Sequence, residues 1–562
     1  MRKRSIVATL LASLALALVG FLPSASAGSS GPLREYVVRY EAGVSRAEAH
    51  AAIRSAGGTV IDEISSIGVA KVTSTNSNFV VDASGKGALA GAARNRVIGY
   101  AEPALREKVD EVESLSAASK AGSAGAQTAA GAEPLAGLQW GNEMIDATVD
   151  GSYATQPGDP QVLVGIIDTG IDASHPDLND NVDTSLSRNF TTDIPLIDGP
   201  CEEEPDASCS DPATVDEGGH GSHVAGTVGA ELNGLGISGV APNITLVNLR
   251  AGQDSGFFFL FETLNAYTYA ADHGIDVVNM SFFTDPWEFN CRDNPLDSPE
   301  AQEEQATIID ASNEALNYAF SHGVTLIAAE GNSHTDLGNP TYDAFSPDYP
   351  PDSAYVRDNI TNACLDIPTE GAHVMSISAL GPSGRKAYYS NYGVEQTTVS
   401  APGGDRRDFF GTPQYNTPGT RILSSYPAEL AMAEGLVSKN FRSRNPLAVV
   451  HCVGQRNAAN CGVYVYLQGT SMASPHATGV AALIVSEFGS GSGAGFGMSP
   501  SAVEARLRST ATNTACPKPR LFEYPDLVGA DPNVPFEAFC EGSKDFNGFY
   551  GDGIVNALAA VS

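Results

Sequence analysis

Four short stretches of this sequence carry residue types that together could do nucleophilic chemistry. In Val164-Gly-Ile-Ile-Asp168-Thr-Gly170 an aspartate ends an apolar run. In Gly219-His220-Gly-Ser-His223-Val-Ala-Gly226 a histidine opens a helix. In Gly469-Thr-Ser471-Met-Ala-Ser-Pro475-His a serine leads into a strongly apolar helix over 477–485. A serine hydroxyl is a weak nucleophile until an imidazole takes its proton, and a buried carboxylate must hold that imidazole in the right tautomer. The fourth stretch, Leu326-Ile-Ala-Ala-Glu-Gly331-Asn332, ends in a side-chain amide that can donate to the oxyanion of a tetrahedral intermediate. The chemistry expected is acyl transfer. Ser471 would attack, His220 act as general base, Asp168 orient it and Asn332 hold the oxyanion.

Taken singly, each signal has a plainer reading. Asp168 could serve equally as a strand-end turn residue. His223 could partner a metal, but there is no HExxH motif and no third ligand nearby. It reads as a packed helix residue, as does His476, and Thr470 and Ser474 read as helix-start hydrogen bonders. An α/β-hydrolase would need Gly-x-Ser-x-Gly and a histidine well after the serine. Here Ala473 stands in the last place, and His476 is the only later histidine. A serine-carboxyl protease would use glutamate where His220 stands.

The elements that must position these residues are legible too. Apolar runs at 162–167, 244–249, 277–280, 324–329 and 373–377 alternate with helical stretches. Strands buried on both faces imply an α/β fold with a mainly parallel sheet, whose sites form beyond the strands' carboxyl ends. Residues 34–104 read as a separate small α+β unit. A strand at 35–40 is followed by a helix at 45–55 with Ser45 as its cap, a turn at Gly57-Gly58 and two strands within 59–72. A weak helix at 87–95 and a strand at 97–100 complete it. That β-α-β-β-α-β order is ferredoxin-like. From 107 the chain becomes Ala, Ser and Gly with scattered charge, which reads as a flexible linker.

A chain of 562 residues exceeds the ~250 to 300 that one core sustains, so more than one folded unit is expected. Charge divides it. Up to Pro134 there are 14 basic and 12 acidic residues; beyond it 18 and 54, within a total of −34. So acidic a chain lacks the basic face that nucleic-acid binding needs, and it favours a soluble monomer. Residues 1–27 read as a removable secretory signal: Arg2-Lys3-Arg4, an apolar run at 6–22, then Ser-Ala-Ser-Ala. The alternative, a membrane anchor, is disfavoured by that small-residue cleavage site. All eight cysteines follow residue 200, and an oxidising compartment makes disulfides the expectation. Short loops suggest Cys201–Cys209 and Cys452–Cys461, leaving Cys516–Cys540 and Cys291–Cys364. No CxxC supports zinc.

Residues 135–562 resemble the catalytic domain of the subtilisin family of serine proteases, in Asp168-Thr-Gly170, Gly219-His220-Gly-Ser-His223, Gly331-Asn332 and Gly469-Thr-Ser471-Met-Ala-Ser-Pro475. The resemblance implies the four roles already given. Residues 28–106 are similar in pattern and position to that family's inhibitory propeptide, with the maturation cut falling in 107–134. The product implied is a secreted serine endopeptidase acting on proteins or peptides, made as a self-processing preproenzyme. It would be inhibited by its own propeptide, with no required cofactor and neither nucleic acid nor membrane as partner.

Several residues depart from the family. The strand expected to line the S1 pocket runs Ser281-Phe282-Phe283, with a ring in place of glycine. Glu330 precedes Gly331 where alanine is common. If Glu330 faced the pocket it would favour basic P1 side chains; otherwise it is a solvated or salt-bridged carboxylate. The aromatic run 256–261 forms either an apolar subsite or core. The resemblance makes calcium possible as a structural ion. However, the loop 232–242 is about one residue short and has lost side-chain oxygens, and Asp177, at a family ligand position, cannot hold an ion alone. Insertions at 190–216 and 405–461 shape the surroundings of the cleft. Two alternatives remain: a degenerate relative used as a binding scaffold, and a narrow processing protease for one protein.

Overall fold

The computed structural model describes residues 33–95, 97–100, 131–195, 197–201, 208–284, 286–344, 346–347, 354–524 and 536–562. The signal reading of 1–27 and most of the linker lie outside these residues. In the N-terminal unit β1 (Arg34–Tyr40), α1 (Arg46–Ser55), β2 (Gly58–Ile64), β3 (Val69–Ser74), α2 (Phe79–Ser84) and β4 (Leu89–Arg94) give the β-α-β-β-α-β order. Its antiparallel sheet is ordered β2-β3-β1-β4. Ser45 caps α1 in a reciprocal capping box with Glu48.

Two expectations fail here. Residues 87–95 do not form a helix. Alanine-rich as it is, Leu89–Arg94 pairs with β1 and buries Leu89, Ala92 and Ala93, so sheet packing overrides helix propensity. The second helix lies earlier, at α2. And β5 (Val97–Tyr100) is not the last strand of this sheet but leaves it for the larger domain.

That domain is built on β6 (Leu163–Ile167), β7 (Arg188–Asn189), β8 (Thr245–Arg250), β10 (Val277–Met280), β12 (Thr325–Ala329), β13 (Val374–Leu380) and β14 (Thr397–Pro402). They form one seven-stranded parallel sheet, ordered β14-β13-β12-β10-β6-β8-β7. Helices α3 (His220–Gly229) and α6 (Thr470–Phe488) pack with one side of it in a continuous apolar cluster. Helices α4 (Leu260–Asp272) and α5 (Pro299–Ser321) share a second cluster with its other side. Val37, Ile64, Ile67, Val69 and Ala93 of the N-terminal sheet join that second cluster. The short strands β9 (Phe257–Phe259) and β11 (Phe283–Thr284) receive β5 between them. Disulfides join Cys201–Cys209, Cys291–Cys364, Cys452–Cys461 and Cys516–Cys540, the four expected pairs.

Candidate active site

Asp168 and His220 meet beyond the carboxyl end of β6. Fully buried Asp168 accepts at Oδ1 from the Thr169 amide (2.7 Å) and from His220 Nδ1 (2.8 Å). A carboxylate at Nδ1 places the imidazole proton there and leaves Nε2 as the basic nitrogen. Buried Asp216, absent from the sequence candidates, holds the start of α3. It accepts from the amides of Gly219 and Ser222 (2.8 Å each) and from Thr169 Oγ1 (2.9 Å), while Thr169 Oγ1 accepts from the Gly221 amide at 3.0 Å. The carboxylate thus satisfies otherwise orphaned first-turn amides. Burial raises its pKa above the ordinary carboxylate value. A carboxylate four residues ahead of a helix-opening histidine was the available signal, and the acidic insertion it closes concealed it.

Ser471 lies in the first turn of α6, which begins at Thr470, well before the expected 477. Pro475 concealed this start. Having no N–H, it leaves the Ser471 carbonyl without its intrahelical donor, and Ser281 Oγ supplies one at 3.0 Å. Ser281 Oγ also meets Ser474 Oγ (2.8 Å) and accepts from Asn279 Nδ2 (2.7 Å). Asn279 Oδ1 accepts from Thr478 Oγ1 at 3.0 Å. This buried ladder locks the helix to the end of β10. The Ser471 hydroxyl itself donates to the Ser281 carbonyl at 3.3 Å.

Asn332 Oδ1 accepts from Thr470 twice, from its amide at 2.8 Å and its hydroxyl at 3.0 Å. That fixes the amide's orientation, with Nδ2 turned away from Thr470. A Cβ added to Gly469 would lie 3.6 Å from Ser471 N and 3.7 Å from Asn332 Nδ2, so two donors border the space this glycine leaves. Gly331 has φ +97°, and a Cβ there would stand 2.4 Å from Asn391 Nδ2, so glycine is required.

A strand-shaped groove leads to these groups. β5 runs antiparallel between β11 and β9, with Tyr100 opposite Phe283, Gly99 opposite Thr284 and Val97 opposite Phe259. An extended peptide is held there on both edges. The expected subsite residues divide. Ser281 gives the groove its carbonyl while its hydroxyl serves the ladder. Phe282 is buried and stacked on Phe258 at 4.2 Å, so this ring is core. Phe258 and Phe261 are core as well, which settles most of the aromatic run as packing. Phe283 builds β11 through its backbone, and its ring lies outside the described side chains. Glu330 is not solvated: it is fully buried and accepts from Thr397 Oγ1 at 2.6 Å, with burial holding its pKa well above the usual range.

Neither acidic region offers a complete calcium cage. Asp177 Oδ2 accepts from Tyr464 OH (2.7 Å) and the Ile237 amide (3.1 Å), and the Asn233 amide oxygen is taken up by Leu235 N. Asp177 Oδ1 and Glu133 Oε2 are buried without hydrogen-bond partners, two oxygens against the six or more a calcium ion takes. Among the described residues, Asp193, Asp211 and Asp254 form the one close group of three. Arg250 sits among them, donating to Asp211 (2.5 Å), Asp254 (2.8 Å) and Asp193 (3.2 Å).

An aspartate–histidine pair, a serine at a helix start and a peptide-shaped groove, set on a parallel sheet, define a serine hydrolase of the α/β class. A family model described as the subtilase family matches residues 159–524, and the chain belongs to that family of serine endopeptidases. It is 26% identical to subtilisin DY of Bacillus licheniformis over 63% of this chain and 84% of that protein. It is 25% identical to fervidolysin of Fervidobacterium pennivorans over 68% of this chain and 41% of that one. In fold it is similar to the epidermin leader peptide processing serine protease of Staphylococcus aureus, with a TM-score of 0.61, 20% identity, and 94% and 98% of the two chains covered. Among the described residues no helix is long and apolar enough to cross a membrane.

Proposed function

We propose that this chain is a secreted endopeptidase made as a self-processing precursor, with Ser471 as nucleophile, His220 as general base, Asp168 as its orienting acid and Asn332 as oxyanion donor. The observation that carries the reading is the buried 2.8 Å hydrogen bond between Asp168 and His220 Nδ1, which makes Nε2 the base. When a peptide carbonyl enters, the Ser471 hydroxyl exchanges the Ser281 carbonyl for His220 Nε2, loses its proton there and attacks. The oxyanion forms beside Asn332 Nδ2 and the Ser471 amide, which lie 3.7 Å and 3.6 Å from the point a Cβ on Gly469 would occupy. His220 then returns the proton to the leaving amine.

The N-terminal unit is read as the inhibitory propeptide. In support, its strand β5 fills the groove in the manner of a substrate, and its basic side chains meet acidic ones across the junction. Lys71 bonds Glu262 at 2.6 Å, Arg39 bonds Asp310 at 2.8 Å, and Arg94 reaches Glu300 and Glu304. The test is mass spectrometry of the purified chain beside Ser471→Ala, with and without a fluorophosphonate. The expected result is a native chain shortened by its first hundred-odd residues with one adduct on Ser471, and an unprocessed, unlabelled variant. Equal processing of both chains without labelling would return the binding-scaffold reading.

A further inference from the structure

Beyond the carboxyl ends of β10 and β12 the chain continues through Ser281, whose carbonyl accepts from the Ser471 hydroxyl, and through Gly331-Asn332, both bonded to Thr470, so a residue preceding a scissile bond at Ser471 would have these two segments on either side of it. At the foot of the second lies Asp366, which the sequence reading did not single out. It is 1% exposed. Its Oδ2 lies 3.5 Å from where a Cβ on Gly331 would sit, so with glycine there no side chain of residue 331 comes between. Its Oδ1 is buried and has no hydrogen-bond partner.

Burial above all, and after it the acidic neighbours Glu370, Glu288, Glu330 and Asp343, hold its pKa well above the ordinary range. Of these, Asp343 is paired with Arg357 at 2.9 Å and Glu330 accepts from Thr397. Glu370 accepts the Asp366 amide at 2.8 Å. The buried Lys386 ammonium donates to the carbonyls of Ala387 and Ser390. Asp366 therefore keeps an unpartnered carboxyl oxygen in acidic surroundings that favour its neutral form, and an arriving cation would stabilise the carboxylate instead.

We propose that Asp366 is the base of the S1 subsite and that it selects lysine or arginine at P1. This rests on the protease reading and gives it a substrate class. An ammonium or guanidinium brings the donors that Oδ1 lacks and the charge that its neighbours call for. An apolar side chain in the same place would leave the carboxylate dry and unpaired. Glu330 contributes from behind, through its field and not by contact. The segment 107–134, where maturation is expected, holds Lys108 and Lys120, and Arg106 stands immediately before it. Self-cleavage should follow one of them.

The experiment matures the full-length chain, reads its new N-terminus, and exposes a peptide library of varied P1 residues to it. Asp366→Asn and Ser471→Ala run in parallel, and Ser471 is titrated with a fluorophosphonate. Expected are cuts predominantly after lysine and arginine and a mature chain starting at Glu107, Val109 or Ala121. With D366N, the ratio of kcat/KM on a P1-arginine peptide to that on a P1-leucine peptide should fall about 10²-fold. A labelled Ser471 with cuts after apolar residues, with no cuts, or with an arginine preference that survives D366N overturns the Asp366 assignment and leaves the protease reading standing. So does a calcium-dependent rise in Tm that D366N abolishes without any basic P1 bias. Absence of both labelling and cleavage overturns the protease reading itself. Where D366N fails to fold, Asp366→Ser is read in the same way, and a wild-type chain that makes no cuts after basic residues overturns the assignment by itself.

Discussion

The Asn332 amide oxygen takes two hydrogen bonds from one residue, Thr470, through its backbone N–H at 2.8 Å and its hydroxyl at 3.0 Å. Thr470 is also the immediate neighbour of Ser471, and its hydroxyl accepts from the Gly331 amide at 3.0 Å. The proposed oxyanion donor is therefore aimed by the residue beside the proposed nucleophile. Any shift of the helix start moves both together, so the distance between them is protected.

Thr470→Val keeps the shape and the backbone bond but removes the hydroxyl. The donor loses one of its two anchors, so kcat should fall about 10-fold with KM little changed, since ground-state binding does not use it. Asn332→Leu removes the donor outright and should cost roughly 10²- to 10³-fold, as loss of the same donor does in subtilisin. Steady-state kinetics on one peptide substrate reads both. A T470V enzyme with raised KM and unchanged kcat would refute the positioning role.

Asp216→Ala strips α3 of its N-terminal cap and leaves three donors buried without an acceptor. A stability loss of roughly 1 to 3 kcal/mol is expected, with a drop in kcat because His220 is the first residue of that helix. Asp216→Asn keeps one side-chain acceptor and should lose less. Thermal unfolding and turnover measured on both variants check this, and equal losses would show that the one oxygen kept by asparagine contributes nothing.

Much of this was readable beforehand, and the failures have physical causes. The parallel strands were legible because strands buried on both faces are apolar throughout. The catalytic candidates were legible because each sits in a short motif ending a strand or opening a helix. What escaped were partners set by tertiary contact. Asp216 looked like part of an acidic loop, and Asp366 like one more acid in an acidic protein, because neither motif nor period marks which carboxylate is buried. Leu89–Arg94 misled because alanine favours helix until a neighbouring strand offers it a sheet. The start of α6 was hidden by Pro475, whose missing donor is replaced by Ser281, far away in the sequence.

The charge contrast between the two units becomes specific at Lys71 and Glu262. Glu262 is buried, and Lys71→Ala would leave it without its cation, which typically costs about 3 to 5 kcal/mol, or roughly 10²- to 10⁴-fold in affinity. Inhibition of the mature enzyme by added N-terminal unit should weaken by about that factor. Combining K71A with Glu262→Gln should restore much of it, since the isolated charge is gone. If the double variant is as poor as K71A, the lost affinity belongs to packing and not to the ion pair.

Lys386 gives a pH dependence with a definite sign. It is fully buried, with its Nζ 4.8 Å from the Tyr392 ring centroid, and burial, only partly offset by Glu330, pulls its pKa down to about 7. In the unfolded chain it titrates near ~10.4. Below about pH 7 both states carry the proton, and the folded state bears the whole cost of burying it. Between about pH 7 and about 10 the unfolded chain holds a proton that the folded chain has released, so this group's contribution to stability rises with pH. Lys386→Met deletes the titration and leaves a constant loss from the hydrogen bonds to the carbonyls of Ala387 and Ser390, of which the first keeps the Ser390 amide as a donor. The wild-type Tm minus the K386M Tm should therefore climb from pH 7 to pH 10, while titrating groups that do not interact with Lys386 cancel in the difference. A difference curve level across that whole range would mean that Lys386 keeps its proton in the fold, held by Glu330 against the cost of burial.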